Sequence, residues 1–158
     1  MTLKLISDAI ANDPIVQGAL SDLDSGLKVR LAVNKSAIPY VSATVAKTRP
    51  VVLIAATERA AQDLANSLTD FVAEENIAVF PAWETLPHER LSPRSDTVAQ
   101  RIATLIKLKE NKAHNPIVVT PVRGLIHRII NSLAQTPVRE LAVGMQCDLK
   151  DLINHLGE

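Results

Sequence analysis

Charged and hydroxyl side chains are dense in one stretch of the chain, residues 79–101. Glu84 and Glu89 flank its centre, and general acid–base catalysis can use such a pair of carboxylates. Arg90 and Arg94 lie beside them, however, and carboxylates next to arginines more simply form ion pairs. The sequence also contains no G-x-S-x-G nucleophile motif. We therefore predict no catalytic residue here, and we expect ion pairs among Glu84, Arg90 and Arg94.

One short segment resembles part of a phosphate-binding loop. Lys35-Ser36 resembles the end of G-x-x-x-x-G-K-[ST], the loop whose backbone amides surround a nucleotide phosphate. Both glycines of that motif are missing, and the connection is too short to encircle a phosphate. We therefore predict that the chain binds no nucleotide cofactor, and that Lys35 is a solvated lysine in a strand-to-helix turn.

The histidines and the cysteine do not predict a metal site. His88, His114, His127 and His155 fall at no ligand spacing. Cys147 with His155 would supply two ligands, whereas zinc takes four, or three plus water. We predict that His127 is solvated on the outer side of a helix. A lone cysteine cannot form an internal disulfide, which is typical of a reducing compartment.

A modest basic strip spans residues 90–112. A solvated helix face is the favoured interpretation of such a strip, and contact with the phosphates of duplex DNA is the alternative. The formal net charge is zero, so no global field attracts DNA. The basic residues of the strip are Arg90, Arg94, Arg101, Lys107, Lys109 and Lys112, and the acidic ones are Asp96 and Glu110.

The elements that must position these residues alternate between strand and helix. The run 51–56 is apolar throughout, as expected of a parallel strand buried on both faces. Period-two and apolar runs predict strands at 27–33, 51–56, 77–80, 117–120 and 138–143. Helical spacing and capping residues predict helices over 3–12, 37–47, 58–72, 95–106, 121–133 and 149–156. The predicted inner face of the 95–106 helix consists of Val98, Ile102, Leu105 and Ile106. That of the 149–156 helix consists of Leu149, Leu152, Ile153 and Leu156.

This alternation predicts the α/β class, with a three-layer architecture in which helices flank a mainly parallel sheet. Ligands of such sheets bind at the carboxyl ends of the strands, and the loop at 81–95 leaves that edge. Three prolines in this loop exclude a helix, while its apolar residues argue for order. We predict that Trp83 and Leu86 wedge the loop onto the core.

Composition places the chain among globular cytoplasmic proteins. Its 158 residues, 47% of them hydrophobic, suffice for one domain with a sizeable core, and this composition excludes disorder. The N-terminus lacks the basic and apolar regions of a signal peptide. No apolar run approaches the roughly 18–20 residues of a membrane span. We expect a cytoplasmic protein without a membrane partner.

Residues 80–97, followed by Arg101 and Leu105, closely resemble the N-terminal region of bacterial transcription-repair coupling factors. Residues 51–64 resemble the preceding strand and helix of that family, and are similar to a helicase-type segment of UvrB. Residues 117–125 and 143–152 resemble later segments. The motif W-E-T-L-P-x-E-x-x-S-P is specific. Its residues and their neighbours here, which we predict to be interaction residues, are Trp83, Glu84, Leu86, Pro87, Glu89, Arg90, Ser92, Pro93, Arg94, Asp96 and Arg101.

The resemblance implies a degenerate RecA-like (helicase-type) domain that has lost its Walker A loop. It further implies a helical lead-in over 1–26, the degenerate domain over 27–143, and the start of a UvrA-binding-type subdomain over 144–158. The chain is then a truncated, non-catalytic module of a longer protein. That parent would be an ATP- and magnesium-dependent DNA translocase of transcription-coupled nucleotide excision repair, which displaces stalled RNA polymerase and recruits UvrA. The expected partners are other domains of the parent and, through it, UvrA and RNA polymerase, with weak or no DNA binding.

Overall fold

The structure, a computed structural model, describes residues 4–85, 92–110, 115–129 and 141–157. Its α-helices are α1 (Lys4–Ala11), α2 (Pro14–Asp24), α3 (Ile38–Ala46), α4 (Glu58–Leu68), α5 (Ser95–Glu110), α6 (Val122–Ile126) and α7 (Leu149–Gly157). Its strands are β1 (Val51–Ala55), β2 (Ile77–Val79) and β3 (Ile117–Pro121), and short 3-10 turns at Lys35–Ala37 and Glu74–Asn76 precede α3 and β2.

The three strands form one parallel sheet in the order β1-β3-β2. In this register Ile117 of the central strand lies between Val51 and Ile77. Helix α4 connects β1 to β2, and α5 connects β2 to β3. The predicted class, an α/β fold with a parallel sheet flanked by helices, is therefore confirmed.

Helices α3 and α4 cover one face of the sheet and form the core with it. Thr57 begins α4 as its N-cap, because its hydroxyl accepts a hydrogen bond from Ala60 N at 3.2 Å. Ala61 and Leu68 then turn inward and are fully buried, as are Ile117 and Val119 of β3. Burial of such side chains is the main stabilising term of the fold.

The opposite face of the sheet is only partly covered. Ala78 of β2 and Val118 of β3 are buried there, but Val52 and Ile54 of β1 are 57% and 53% exposed. The prediction that 51–56 is buried on both faces is therefore wrong, because the described residues leave Val52 and Ile54 largely uncovered on this face.

A strand predicted at 27–33 is absent, and the structure shows no regular element there. Leu27 and Val33 are exposed at 58% and 44%. The alternating pattern satisfied the period of a strand, but a strand also needs a neighbour for its backbone groups, and no described residue pairs with this segment. For the strand predicted at 138–143, residues 141–143 belong to no strand, and the others lie outside the described residues.

Several predicted helices differ in extent or environment; α4, for example, ends at Leu68 and not at residue 72. Helix α6 ends at Ile126, and residues 130–133 of the predicted 121–133 helix lie outside the described residues. Asp148 caps α7 as predicted, accepting a hydrogen bond from Lys150 N at 2.8 Å. Leu149 and Ile153, predicted to lie inside, are 69% and 58% exposed.

Helix α1 packs against α3, and α2 packs against α1. Asp13 caps α2 by accepting a hydrogen bond from Ile15 N at 2.8 Å. Arg49, which precedes β1, forms an ion pair with Asp24 at the end of α2. None of the described helices is long and apolar enough to cross a membrane.

Candidate functional site

The site lies where the chain leaves β2, at the carboxyl edge of the sheet. Residues 80–85, here called the anchored loop, follow β2 and contact α4, α5 and the end of α6. Phe80 stays in register with β3, because its N–H donates to Val119 O at 2.9 Å and its carbonyl accepts from Thr120 Oγ1 at 2.8 Å. The loop therefore begins from a fixed position.

Helix α5 presents a row of hydrogen-bond donors to the outer edge of β2. Lys107 Nζ donates to Ile77 O at 2.7 Å, and Thr104 Oγ1 donates to Val79 O at 2.9 Å. These are alternate carbonyls, which point away from β3. The side chains of α5 thus take the place of a neighbouring strand and protect this edge from pairing.

The same row continues past the end of β2 into the loop. Arg101 donates to Pro81 O at 2.5 Å, and Thr97 donates to the carboxylate of Glu84. The most buried residues of α5 are accordingly Thr97, Arg101 and Thr104. Val98, Ile102, Leu105 and Ile106, which were predicted to form the inner face, are only half-buried.

Arg101 lies at the centre of the site and is only 3% exposed. Its guanidinium carbon is 4.0 Å from the ring centroid of Phe80 and 4.3 Å from that of Trp83. Burial lowers the pKa of Arg101, but arginine stays protonated in proteins. Its charge is balanced by two aromatic faces and a carbonyl dipole, and this buried position does not offer Arg101 to a DNA phosphate.

Side chains from two other helices hold the backbone of Ala82 and Trp83. Ala82 N donates to Glu58 Oε2 at 3.2 Å, at the start of α4. Trp83 N donates to Nδ1 of His127 at 3.3 Å, and Arg123 Nη2 donates to Trp83 O at 3.4 Å. The anchored loop is thus bonded to three helices within a few residues.

His127 must be neutral at Nδ1 to accept this hydrogen bond. Desolvation by burial, followed by the positive charges of Arg101 and Arg123, lowers the pKa of His127. The prediction that His127 is solvated on an outer face is therefore wrong. No sequence signal identified it, because its partner is a backbone amide 44 positions away.

Gly124 allows α6 to approach the loop closely. A β-carbon at this position would lie 2.5 Å from Thr120 Oγ1 and 3.1 Å from Phe80 O. Both atoms belong to the hydrogen bond that fixes the start of the loop. Only glycine fits here without displacing that bond.

The predicted ion pairs around Glu84 take a different form. The hydrogen bond from Thr97 lowers the pKa of Glu84 most, and backbone hydrogen bonds and the charge of Arg94 add to the effect. Arg94 forms its ion pair with Asp96, at 3.3 Å, and both side chains are well exposed. Ser92 is exposed and Pro93 is half-buried.

The remaining predicted interaction residues, Leu86, Pro87, Glu89 and Arg90, lie outside the described residues. Trp83 is half-buried against Arg101, which agrees in part with the prediction that it packs onto the core.

Within the described ranges, no three or more His, Cys, Asp or Glu residues are placed to hold a metal ion. The arrangement supplies a fixed surface with exposed charges.

Comparison with known proteins identifies the relatives of this chain. It is 35% identical to the transcription-repair-coupling factor of Mycobacterium tuberculosis over 136 residues, which cover 83% of this chain and 11% of that protein. It is 31% identical to the factor of Escherichia coli over 80 residues, covering 51% of this chain and 7% of that protein. The Rickettsia bellii factor is 33% identical over 78 residues, 49% of this chain and 7% of the relative. No protein-family model matches the chain.

Proposed function

Because the chain belongs to the transcription-repair-coupling factor family, we propose that it is a non-catalytic N-terminal module of such a factor, acting in transcription-coupled nucleotide excision repair. The chain spans about 11% of the length of its mycobacterial relatives. We assign ATP-dependent DNA translocation, displacement of stalled RNA polymerase and recruitment of UvrA to the rest of the longer protein, together with the ATP and magnesium that these activities need.

The observation that carries this proposal is the anchoring of residues 80–85. Three helices hold the loop through bonds to its backbone, so binding would cost little conformational entropy. Glu84, Arg94 and Arg123 leave this surface charged and exposed. We propose that the loop docks against another domain of the same polypeptide. We also propose that residues 144–158 belong to a second subdomain, whose contacts would cover the exposed Leu149 and Ile153.

Direct DNA binding through the basic strip is less well supported. Arg101 is buried between two rings, Lys107 donates to Ile77 O, and Arg94 pairs with Asp96. Among the described residues of the strip, Arg94, Arg101 and Lys107 are therefore already engaged in contacts within the chain. A strip that binds a phosphate backbone needs cations that are available to it.

The proposal can be tested with a chimaera of the Mycobacterium tuberculosis factor in which the matching 136 residues are replaced by those of this chain. We expect the chimaera to hydrolyse ATP, to displace stalled RNA polymerase and to support strand-specific repair in vitro, as the unmodified factor would. A second chimaera carrying Arg101→Ala should lose repair, because its loop is no longer held. Failure of a folded, ATP-hydrolysing first chimaera would contradict the assigned role.

The non-catalytic part of the proposal has its own test. A ligand that binds only the native state raises the melting temperature. Since we propose that the chain binds no nucleotide, millimolar ATP with magnesium should leave the melting temperature of the purified chain unchanged. A rise in melting temperature, or ATP turnover by the chain alone, would show that the module binds nucleotide.

A further inference from the structure

The first two residues of the anchored loop are held by bonds that do not depend on pH near neutrality. Phe80 bonds to the backbone carbonyl of Val119 at 2.9 Å and to the hydroxyl of Thr120 at 2.8 Å. Pro81 O accepts from the guanidinium of Arg101, which stays protonated in proteins. A fall in pH from neutrality to about 5 changes the charge of none of these partners.

The backbone of Trp83 is held differently, by an imidazole. Its N–H donates to Nδ1 of His127 at 3.3 Å, so Nδ1 carries a lone pair and the proton of the neutral ring is on Nε2. A protonated ring carries an N–H group at both nitrogens. Protonation of His127 therefore turns the acceptor into a donor that faces another donor, and the bond to Trp83 is lost.

The fold fixes the position of this imidazole independently of the loop. His127 follows the last residue of α6, and its own N–H donates to Arg123 O at 3.3 Å. Gly124 lets α6 lie against the start of the loop, since a β-carbon there would be 3.1 Å from Phe80 O. The ring is thus carried by α6, and its bond to Trp83 joins two separate elements.

The cations around His127 oppose a further positive charge. Arg123 lies on α6 with it, and Arg101 reaches the loop from α5. Burial, and then the charges of Arg101 and Arg123, lower the pKa of His127. Arg128 adds a third cation next to it in sequence. A proton on the ring is therefore less favourable in the closed arrangement than in water.

The carboxylates of the site are bonded to other groups. Glu58 of α4 accepts from Ala82 N at 3.2 Å, and Glu84 of the loop accepts from the hydroxyl of Thr97 on α5. Among the ion pairs of the described residues, none includes His127. A protonated ring would therefore lack a counter-charge here, which favours separation of the ring from the loop.

We propose that His127 is a proton-sensitive latch, which holds the backbone of Trp83 when its imidazole is neutral and releases it when the imidazole is protonated, while residues 80 and 81 stay in place. Since the closed arrangement favours the neutral ring, the latch is closed above about pH 6.5, the ordinary pKa of histidine. It opens as the pH falls through the lower pKa of the closed state. The inference concerns this chain alone and does not rest on the function proposed above.

Amide hydrogen exchange of the purified chain, followed residue by residue by NMR from pH 7.5 to 5 and corrected for the intrinsic rate at each pH, tests the latch. Protection of the Trp83 amide should fall by more than about threefold, which corresponds to a difference of about half a unit between the pKa values of the closed and open states. The Phe80 amide is the internal control and should keep its protection. The fall at Trp83 should share its midpoint with the titration of the His127 ring, followed by chemical shift in the same samples.

Two variants assign the effect to one imidazole. His127→Asn retains an acceptor that does not titrate, so protection of the Trp83 amide should no longer depend on pH. The matched control is His155→Asn on α7, which removes a different histidine and should leave the fall unchanged.

Three results would overturn the proposal. They are constant protection of the Trp83 amide, a fall shared with the Phe80 amide, which indicates general unfolding, and a fall that persists in His127→Asn. Should His127→Asn fail to fold, the unmodified chain still decides, because a midpoint at Trp83 that differs from that of the His127 ring rejects the latch.

Discussion

The guanidinium of Arg101 lies over the indole ring of Trp83, 4.3 Å from its centroid, while Phe80 covers it from a second direction at 4.0 Å. A buried cation thus connects α5 to the loop that follows β2. The contact places the single tryptophan of the chain beside the group that holds the loop, so the fluorescence of Trp83 reports directly on this site.

Arg101→Ala should lower the free energy of unfolding by roughly 2–4 kcal/mol, since it removes two cation–π contacts, the bond to Pro81 O and the packing of a long side chain. Urea denaturation monitored by circular dichroism measures the change. Arg94→Ala is the control, because that side chain is well exposed and surface changes usually stay within about 0.5 kcal/mol. Equal effects of the two changes would mean that the interior position of Arg101 adds nothing to stability.

Trp83→Ala should cost about 2–3 kcal/mol, below the usual range for a fully buried aromatic because the ring is half-buried. Combined with Arg101→Ala in a double-mutant cycle, it should show a coupling of about 1 kcal/mol from the cation–π contact. Additive effects of the two changes would argue against a direct interaction between these side chains.

Stability should fall as the pH drops below about 6.5, the ordinary pKa of histidine. The folded-state pKa of His127 lies lower, so the unfolded chain binds the proton first. The contribution of His127 is complete above about 6.5 and is lost as the pH falls through the folded-state pKa. Denaturant titrations across this range, together with Trp83 emission, follow the loss.

The matched variant for this titration is His127→Asn, whose amide oxygen can replace Nδ1 as an acceptor but does not titrate. It should keep most of the stability at neutral pH and reduce the decline on acidification. An unchanged pH profile in the variant would assign the decline to other groups.

Gly124→Ala should destabilise the fold by roughly 2–3 kcal/mol, because the new β-carbon overlaps Thr120 Oγ1 and approaches Phe80 O. Gly18→Ala is the control, since a β-carbon in that part of α2 meets no atom within 4 Å. It should be neutral or stabilising by up to about 1 kcal/mol. Thermal unfolding of the two variants checks the difference, and a neutral Gly124→Ala would show that α6 moves away at little cost.

Elements with both a strong pattern and a local boundary signal were predictable from the sequence. Thr57 caps α4, and the apolar run of β3 matches a central strand. Residues 27–33 have the apolar–polar alternation of a strand, but no described strand lies beside them to pair with. Register and pairing depend on residues distant in the chain, so hydrophobic alternation alone could not decide that case.

The site was less predictable because its most important contacts run from side chains to backbone. Apolar spacing assigned the inner face of α5 to residues such as Val98 and Ile102. The helix instead turns Thr97, Arg101 and Thr104 inward, since the free carbonyls beside it require donors. Their spacing of four and three residues was a usable signal, but only once β2 was known to be an edge strand.

The row of donors on α5 also sets a requirement on length. A helix rises about 1.5 Å per residue and a strand about 3.3 Å. From Arg101 to Lys107 the helix therefore advances about 9 Å, whereas the backbone from Ile77 to Pro81 advances about 13 Å. The two long side chains at the ends make up this difference, and the short Thr104 fits between them. Inserting or deleting one residue between Arg101 and Lys107 would rotate the row by about 100° and uncouple helix from strand, even with every donor still present in the sequence.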